Sequence, residues 1–267
     1  MLGSLQAGNG TTTLTSLPQL SNGTLTGASF FTTGATVVLP ADITHLVSAN
    51  IGVGAKSAIK DAHGRNPLTG LTSVDPRSSL SLGTSLALTG ASIAANGTVS
   101  VSGAALTLTG PFTQAQGALS LSSATLNATQ VTIGQGAMLQ AGQGTISGNL
   151  VNDGNAAVLG AAASQVTGSY SQAPNASLTS GFTGIPGSRA PLAVAGNATL
   201  AGVVLSSDFL PSRGDSAPAI TFGSLSGGFT GHSPGFRLVT KAHEVDVVVH
   251  PQLTAAPATV APGGPLP

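Results

Sequence analysis

Apolar residues alternate with Ser and Thr in short bursts that end at Gly. Ser79-Leu80-Ser81-Leu82-Gly83, Ser85-Leu86-Ala87-Leu88-Thr89-Gly90, Thr98-Val99-Ser100-Val101-Ser102-Gly103 and Ala105-Leu106-Thr107-Leu108-Thr109-Gly110 show the pattern. Ala118-Leu119-Ser120-Leu121 and Val131-Thr132-Ile133-Gly134 continue it. Period two sends successive side chains to opposite faces, so each burst predicts a short strand with aliphatic residues inside and hydroxyls outside. The bursts are too short for helices.

The bursts also recur. Leu88 to Leu108, Val101 to Leu121 and Leu126 to Ile146 are 20 residues apart, while Leu108 to Leu126 and Leu121 to Leu139 are 18. Such a period predicts an all-β solenoid coil. Evenly spaced strands also arise in antiparallel meanders, so an antiparallel β-sandwich is the alternative. Spacings that alternate near 13 and 7 favour the coil, as unequal sides of one turn. Ordering about 20 residues costs on the order of 30 kcal/mol, which one turn cannot offset. Stacked turns can, because each closes its neighbours' apolar face and pairs above and below at about 4.8 Å. Asn9-Gly10, Asn22-Gly23 and Asn96-Gly97 mark turns.

This reading divides the chain into a solenoid over 1–250 and an Ala/Pro/Gly-rich linker or tail over 251–267. Within the solenoid, 1–41 form the first coils and 78–166 the regular coils, with a C-terminal end module over 167–250. Residues 42–77 hold four of the eight basic residues, and alternation lapses there. They predict a surface excursion with a short helix over 55–62, ended by Gly64. Residues 184–191 predict a loop.

Composition narrows the function classes. Of 267 residues 6% are charged, against about 25% in an average domain, and the net charge is zero. Cys and Trp are absent and aromatics are 3%. Nucleic-acid binding needs a basic field and stacking aromatics, so no nucleic-acid partner is expected. A disulfide framework and a zinc-thiolate site need Cys. A mean hydropathy of +0.34 argues against disorder. It also invites a membrane reading, but the apolar runs 35–39 and 156–163 are far shorter than the roughly 18–20 residues a spanning helix needs. Aromatic girdles for a barrel are missing, so no direct membrane insertion is expected. The N-terminus has no signal-peptide pattern, which suggests a piece of a larger secreted chain.

From about Gly148 the sequence resembles the end of secreted bacterial β-helix proteins, the autotransporter passengers and filamentous-haemagglutinin-like β-strand-repeat adhesins. The resemblance rests on Gly168-Ser169-Tyr170-Ser171-Gln172, on 192–202 (LAVAGNATLAG) and on 209–215 (FLPSRGD). It continues through 224–229 (SLSGGF) and the closing strand 245–249 (VDVVV). It covers about 100 residues and implies a right-handed parallel β-helix of a surface or secreted protein; the handedness comes from the resemblance alone. Its motifs speak for architecture rather than activity.

Candidate chemistry is sparse. His243, Glu244, Asp246 and His250 form the best acid/His cluster, but strand spacing spreads Glu244 to His250 over about 20 Å, too far for one ion. They read as a solvated end strand whose charge blunts end-to-end stacking. The excursion supplies His45, Lys56, Lys60, Asp61, His63 and Arg65 as a candidate surface for binding, with Asp42 and Asp75 nearby in sequence. Charges also simply collect in exposed loops. Residues 52–57 lack the order of a phosphate loop, and neither G-x-S-x-G nor H-E-x-x-H occurs. The six N-x-S/T sequons read mostly as turn chemistry. Residues 79–183 contain one acid, Asp153, and no Lys, Arg or His, so a catalytic patch is not expected on the regular coils.

The expectation is therefore a non-catalytic extracellular β-solenoid acting as stalk, scaffold and adhesive surface. It would carry no cofactor or metal and would meet a host-cell, glycan or matrix surface. A carbohydrate-active β-helix that binds or cleaves polysaccharide is the alternative, with acids from the excursion (Asp42, Asp61 and Asp75) and from the end module. An ice-binding solenoid comes second, on the Thr-x-Thr steps at Thr13, Thr24 and Thr107, although these do not recur at one coil interval.

Overall fold

The computed structural model describes residues 3–89, 92–158, 162–181, 192–207 and 216–249. The loop at 184–191, the tail at 251–267 and His250 lie outside the described residues. All regular structure in the described residues is β, and most strands pair in parallel with the strand one turn ahead, as a β-solenoid requires.

One turn shows the design. Ile93–Ala95, Thr98–Ser102 and Ala105–Leu108 form three short faces of a coil. The next turn pairs Ile93 with Phe112, Val99 with Leu119 and Leu106 with Leu126. Repetition builds inward rows along the axis. On the second face the row reads Leu5, Phe30, Ile51, Leu80, Val99, Leu119, Leu139, Ala156, Leu178 and Val204. The first face contributes Ile93, Phe112, Val131, Leu150, Tyr170 and Ala198. The third contributes Leu86, Leu106, Leu126, Ile146, Val166 and Val194. From Phe30 to Val194 these rows form one continuous buried core, with Leu5 packed half-buried against it and Val204 in a smaller cluster with Ala217, Ala219 and Val247. Each fully buried aliphatic side chain contributes about 1.5–3 kcal/mol, so stability accrues along the stack.

The spacing of 13 then 7 read as two unequal sides, but the turn has three faces. Ile93–Ala95 and its successor at 112–114 supply the side that the spacing skipped.

The ends leave the parallel pattern. Leu20–Ser21 folds back antiparallel on Thr24–Thr26. At the other end Glu244–Val249 pairs antiparallel with both Ser216–Thr221 and Phe236–Thr240. Antiparallel closure covers a ladder edge that would otherwise template another chain.

The predicted helix over 55–62 is absent. Lys56 turns the chain with φ +59, and Ala58–Asp61 is a strand paired with Ala35–Leu39. Its alternation is brief, but Ile59 is buried in register with Val37 while Lys60 stays outside, so ladder pairing and burial override local propensity. The excursion is also smaller than 42–77. His45–Val47, Asn50–Val53 and Ser73–Val74 are rungs of the first and second faces. Only the turn over 62–72 departs from the coil.

Candidate functional site

The third face is interrupted beside that turn. Ala58–Asp61 pairs with Ala35–Leu39, and Leu86–Leu88 pairs with Ala105–Leu108, but the two do not pair with each other. The other faces run straight through, with Leu46 opposite Val74 and Ile51 opposite Leu80. The 62–72 turn fills part of the seam. Leu68 and Leu71 are buried in it, Thr89 N donates to Thr69 O at 2.9 Å, and Ile43 N donates to Pro67 O at 2.8 Å. A cleft of about 220 Å³ remains, lined by Ile59, Lys60, Asn66, Leu68, Thr84 and Leu86 among others.

The structure brings together only some of the predicted surface residues. Lys60 lines the cleft, and Asp61, His63 and Arg65 follow it in one turn. The Asp61 carboxylate is committed locally, with Oδ1 accepting His63 N at 2.8 Å and Arg65 N at 2.7 Å. His63 is 79% exposed and 3.8 Å from the other carboxylate oxygen. Lys56 sits at the corner between the second and third faces. His45 is on the outer side of the first face, with Nδ1 2.8 Å from Thr44 Oγ1. Asp75 accepts Ser73 Oγ at 2.9 Å, and Asp42 stands exposed in a separate turn. Among the described residues no carboxylate lines the cleft. Among the described residues no three His, Asp or Glu side chains converge to hold one ion. The turn presents charge and hydroxyls, and its acid–base contact, Asp61 with the exposed His63, does not line the cleft.

Asp61 carries a testable pH dependence. Burial pushes its carboxyl up, but the hydrogen bonds from the Arg65 and His63 backbone and the nearby positive charges outweigh that and hold it below the usual value of 3.8. A depressed folded value contributes stability above the unfolded value, and that contribution fades as pH falls through the folded one. The Asp61→Asn variant should therefore be less stable than wild type at neutral pH and converge with it in acid, well below pH 3.8. Urea melts across that range check it; a gap independent of pH would contradict it.

The C-terminal cluster is not the solvated strand expected from sequence. Asp246 is 4% exposed, opposite Val239 and Pro218. Lys241 Nζ lies 2.6 Å from Glu244 Oε1 and 2.6 Å from Asp246 Oδ2. These hydrogen bonds, to Asp246 foremost, push the Lys241 ammonium well above its ordinary value. The group reads as a tie within the antiparallel cap.

One exposed feature escaped the sequence reading. Phe30 points into the core, so Phe31 must point out, and it is 40% exposed. Two adjacent Phe in an alternating strand, in a chain with so few aromatics, was the available signal. The Phe31 ring lies over Gly52, one rung on, at the edge of a shallow groove of about 260 Å³.

The Thr-x-Thr steps fall on different faces. Thr24 belongs to the first, whereas Thr13 and Thr107 belong to the third, on opposite sides of the seam. No helix in the described residues is long and apolar enough to cross a membrane. Compared with protein-family models, with curated proteins and with solved structures, the chain matches none.

Proposed function

We propose that the chain is a non-catalytic extracellular β-solenoid of a bacterial surface or secreted protein, serving as stalk and adhesive surface. The observation that supports this reading is the neutrality of the coil. Residues 79–183 carry one acid and no base, yet present rows of Ser, Thr, Asn and Gln over many turns. Some outward groups are tied across rungs, as where Ser79 Oγ donates to Asn50 Oδ1 at 2.7 Å and Ser177 Oγ to Asn155 Oδ1 at 2.7 Å. Such a surface offers many weak neutral contacts in register, and repetition turns weak contacts into avidity. General acid–base cleavage would need positioned titratable groups, which the cleft does not pair.

Beads coated with the chain should adhere to glycan-bearing cell or matrix layers more than blank beads, and less after the glycans are removed. A panel of polysaccharides should show no turnover. Retention equal to blank beads would remove the adhesive role. Turnover abolished in Asp42, Asp61 or Asp75 variants would favour the carbohydrate-cleaving alternative.

A further inference from the structure

We infer that the groove beside Phe31 is a subsite for a neutral pyranose unit of a glycan. This rests on the adhesive reading above and names the chemistry it would engage. Phe31, Gly52, Ser81, Ser100 and Ser120 occupy successive rungs of one outward row on the second face. Gly52 is what lets the ring lie down, because a Cβ there would stand 2.5 Å from Phe31 Cδ1. The floor is held low further along. A Cβ on Gly54 would meet Thr32 O at 2.7 Å, and one on Gly83 would meet Ala55 N at 2.9 Å. The result is an aromatic platform beside a shallow, largely apolar trough edged by hydroxyls.

Three properties select the occupant. First, an exposed aromatic face attracts weakly polarised C–H groups, and the flat C–H side of a pyranose offers several at once. Second, the Ser81, Ser100 and Ser102 hydroxyls line the groove and bond to no other described residue. On the neighbouring outward row Asn50 binds both Ser29 and Ser79. Ser81 and Ser100 are one rung apart, about 4.8 Å, a step that matches hydroxyls on alternate carbons of a sugar ring, and Ser102 lies two residues along the Ser100 strand. Third, among the described residues no Lys, Arg, His, Asp or Glu lines the groove, so a charged ligand would find no counter-charge there. A wholly apolar ligand would leave the hydroxyls unpaired. A neutral hexose satisfies both the ring and the hydroxyls.

Saturation-transfer NMR with cellobiose, lactose and maltose, and with glucuronate as the charged control, tests the assignment on the full chain. At least one neutral disaccharide should receive saturation at its C–H face, and glucuronate should not. Phe31→Ala should weaken that binding about tenfold, with the thermal melt retained because the side chain lies outside the core. Phe31→Leu preserves exposed apolar bulk without a ring and should lose binding equally, whereas Phe31→Trp should keep it. Gly52→Ala should displace the ring and weaken binding too. Binding unchanged in Phe31→Ala and Phe31→Leu would overturn the subsite, as would the absence of binding by all three disaccharides. In the latter case, bead adhesion that persists would leave the adhesive reading standing while removing this subsite.

Discussion

Gly148→Ala should cost about 3–5 kcal/mol of unfolding free energy, among the largest effects a single methyl can have. Gly148 turns the corner between the third and first faces with φ +143, a region that L side chains rarely adopt. A Cβ there would stand 1.9 Å from Ala128 O and 3.1 Å from the carbon of that carbonyl. The obstacle is backbone, so no side chain can swing aside. Relief requires moving a rung, and Gly148 is tied to the following turn twice: Gly168 N donates to Gly148 O at 3.0 Å, and Gly148 N to Thr167 Oγ1 at 3.1 Å. Gly103 provides the control. It has φ +61, but a Cβ there meets nothing within 4 Å, so Gly103→Ala should cost only about 1 kcal/mol of backbone strain. Urea unfolding of the two variants separates crowding from conformation; equal losses would mean that the close approach at 148 is not what matters.

Gln172→Leu should cost about 3–5 kcal/mol although it conserves volume and adds apolar surface. The amide is buried at a corner where three backbone carbonyls turn inward. Its Nε2 donates to Ala201 O at 2.8 Å, Val203 O at 3.1 Å and Ala176 O at 3.2 Å. Its Oε1 accepts the Tyr170 hydroxyl at 2.6 Å, and that hydroxyl accepts Asn152 Nδ2 at 3.2 Å. Burial pushes the phenol of Tyr170 far above its ordinary value, so it remains a donor. Leucine would leave the carbonyls and the phenol without their partner, at about 1–3 kcal/mol for each that stays out of water. Tyr170→Phe removes one hydroxyl from the same network and should cost nearer 1 kcal/mol; Phe112 already occupies that inward row. Thermal melts rank the two variants, and a Gln172→Leu chain as stable as wild type would show that water replaces the amide.

These two sites mark what alternation could and could not reveal. The strands at 79–82, 98–102 and 105–108 were legible because one buried face fixes register at period two. Leu88 does pair with Leu108, Val101 with Leu121 and Leu126 with Ile146. The 18-residue spacings joined neighbouring rows instead. Leu121 faces Ala141, and Leu126 faces Leu106, so a small inward alanine hid the rung in one case. Buried amides hid the first face of the coil. Gln114, Asn152 and Gln172 are polar by type but point inward to hold corner carbonyls. Corners were obscured too, since Ser123 (φ +47) and Gln143 (φ +59) take the conformation that Gly103 takes one and two rungs earlier. In the candidate region the charged residues were visible as composition. Which of them share a turn depends on where Ala58–Asp61 docks, and its pairing with Ala35–Leu39 is a contact between turns that alternation does not specify.

The seam on the third face has a mechanical meaning. Along the regular turns after it an axial pull is shared by three parallel ladders, but between residues 61 and 86 only two carry it, supplemented by the bonds of Thr69 and Pro67. A rod anchored at one end and loaded at the other yields at its thinnest cross-section. Here that section lies toward the amino terminus, leaving the long run of regular turns beyond it to bear force as a unit.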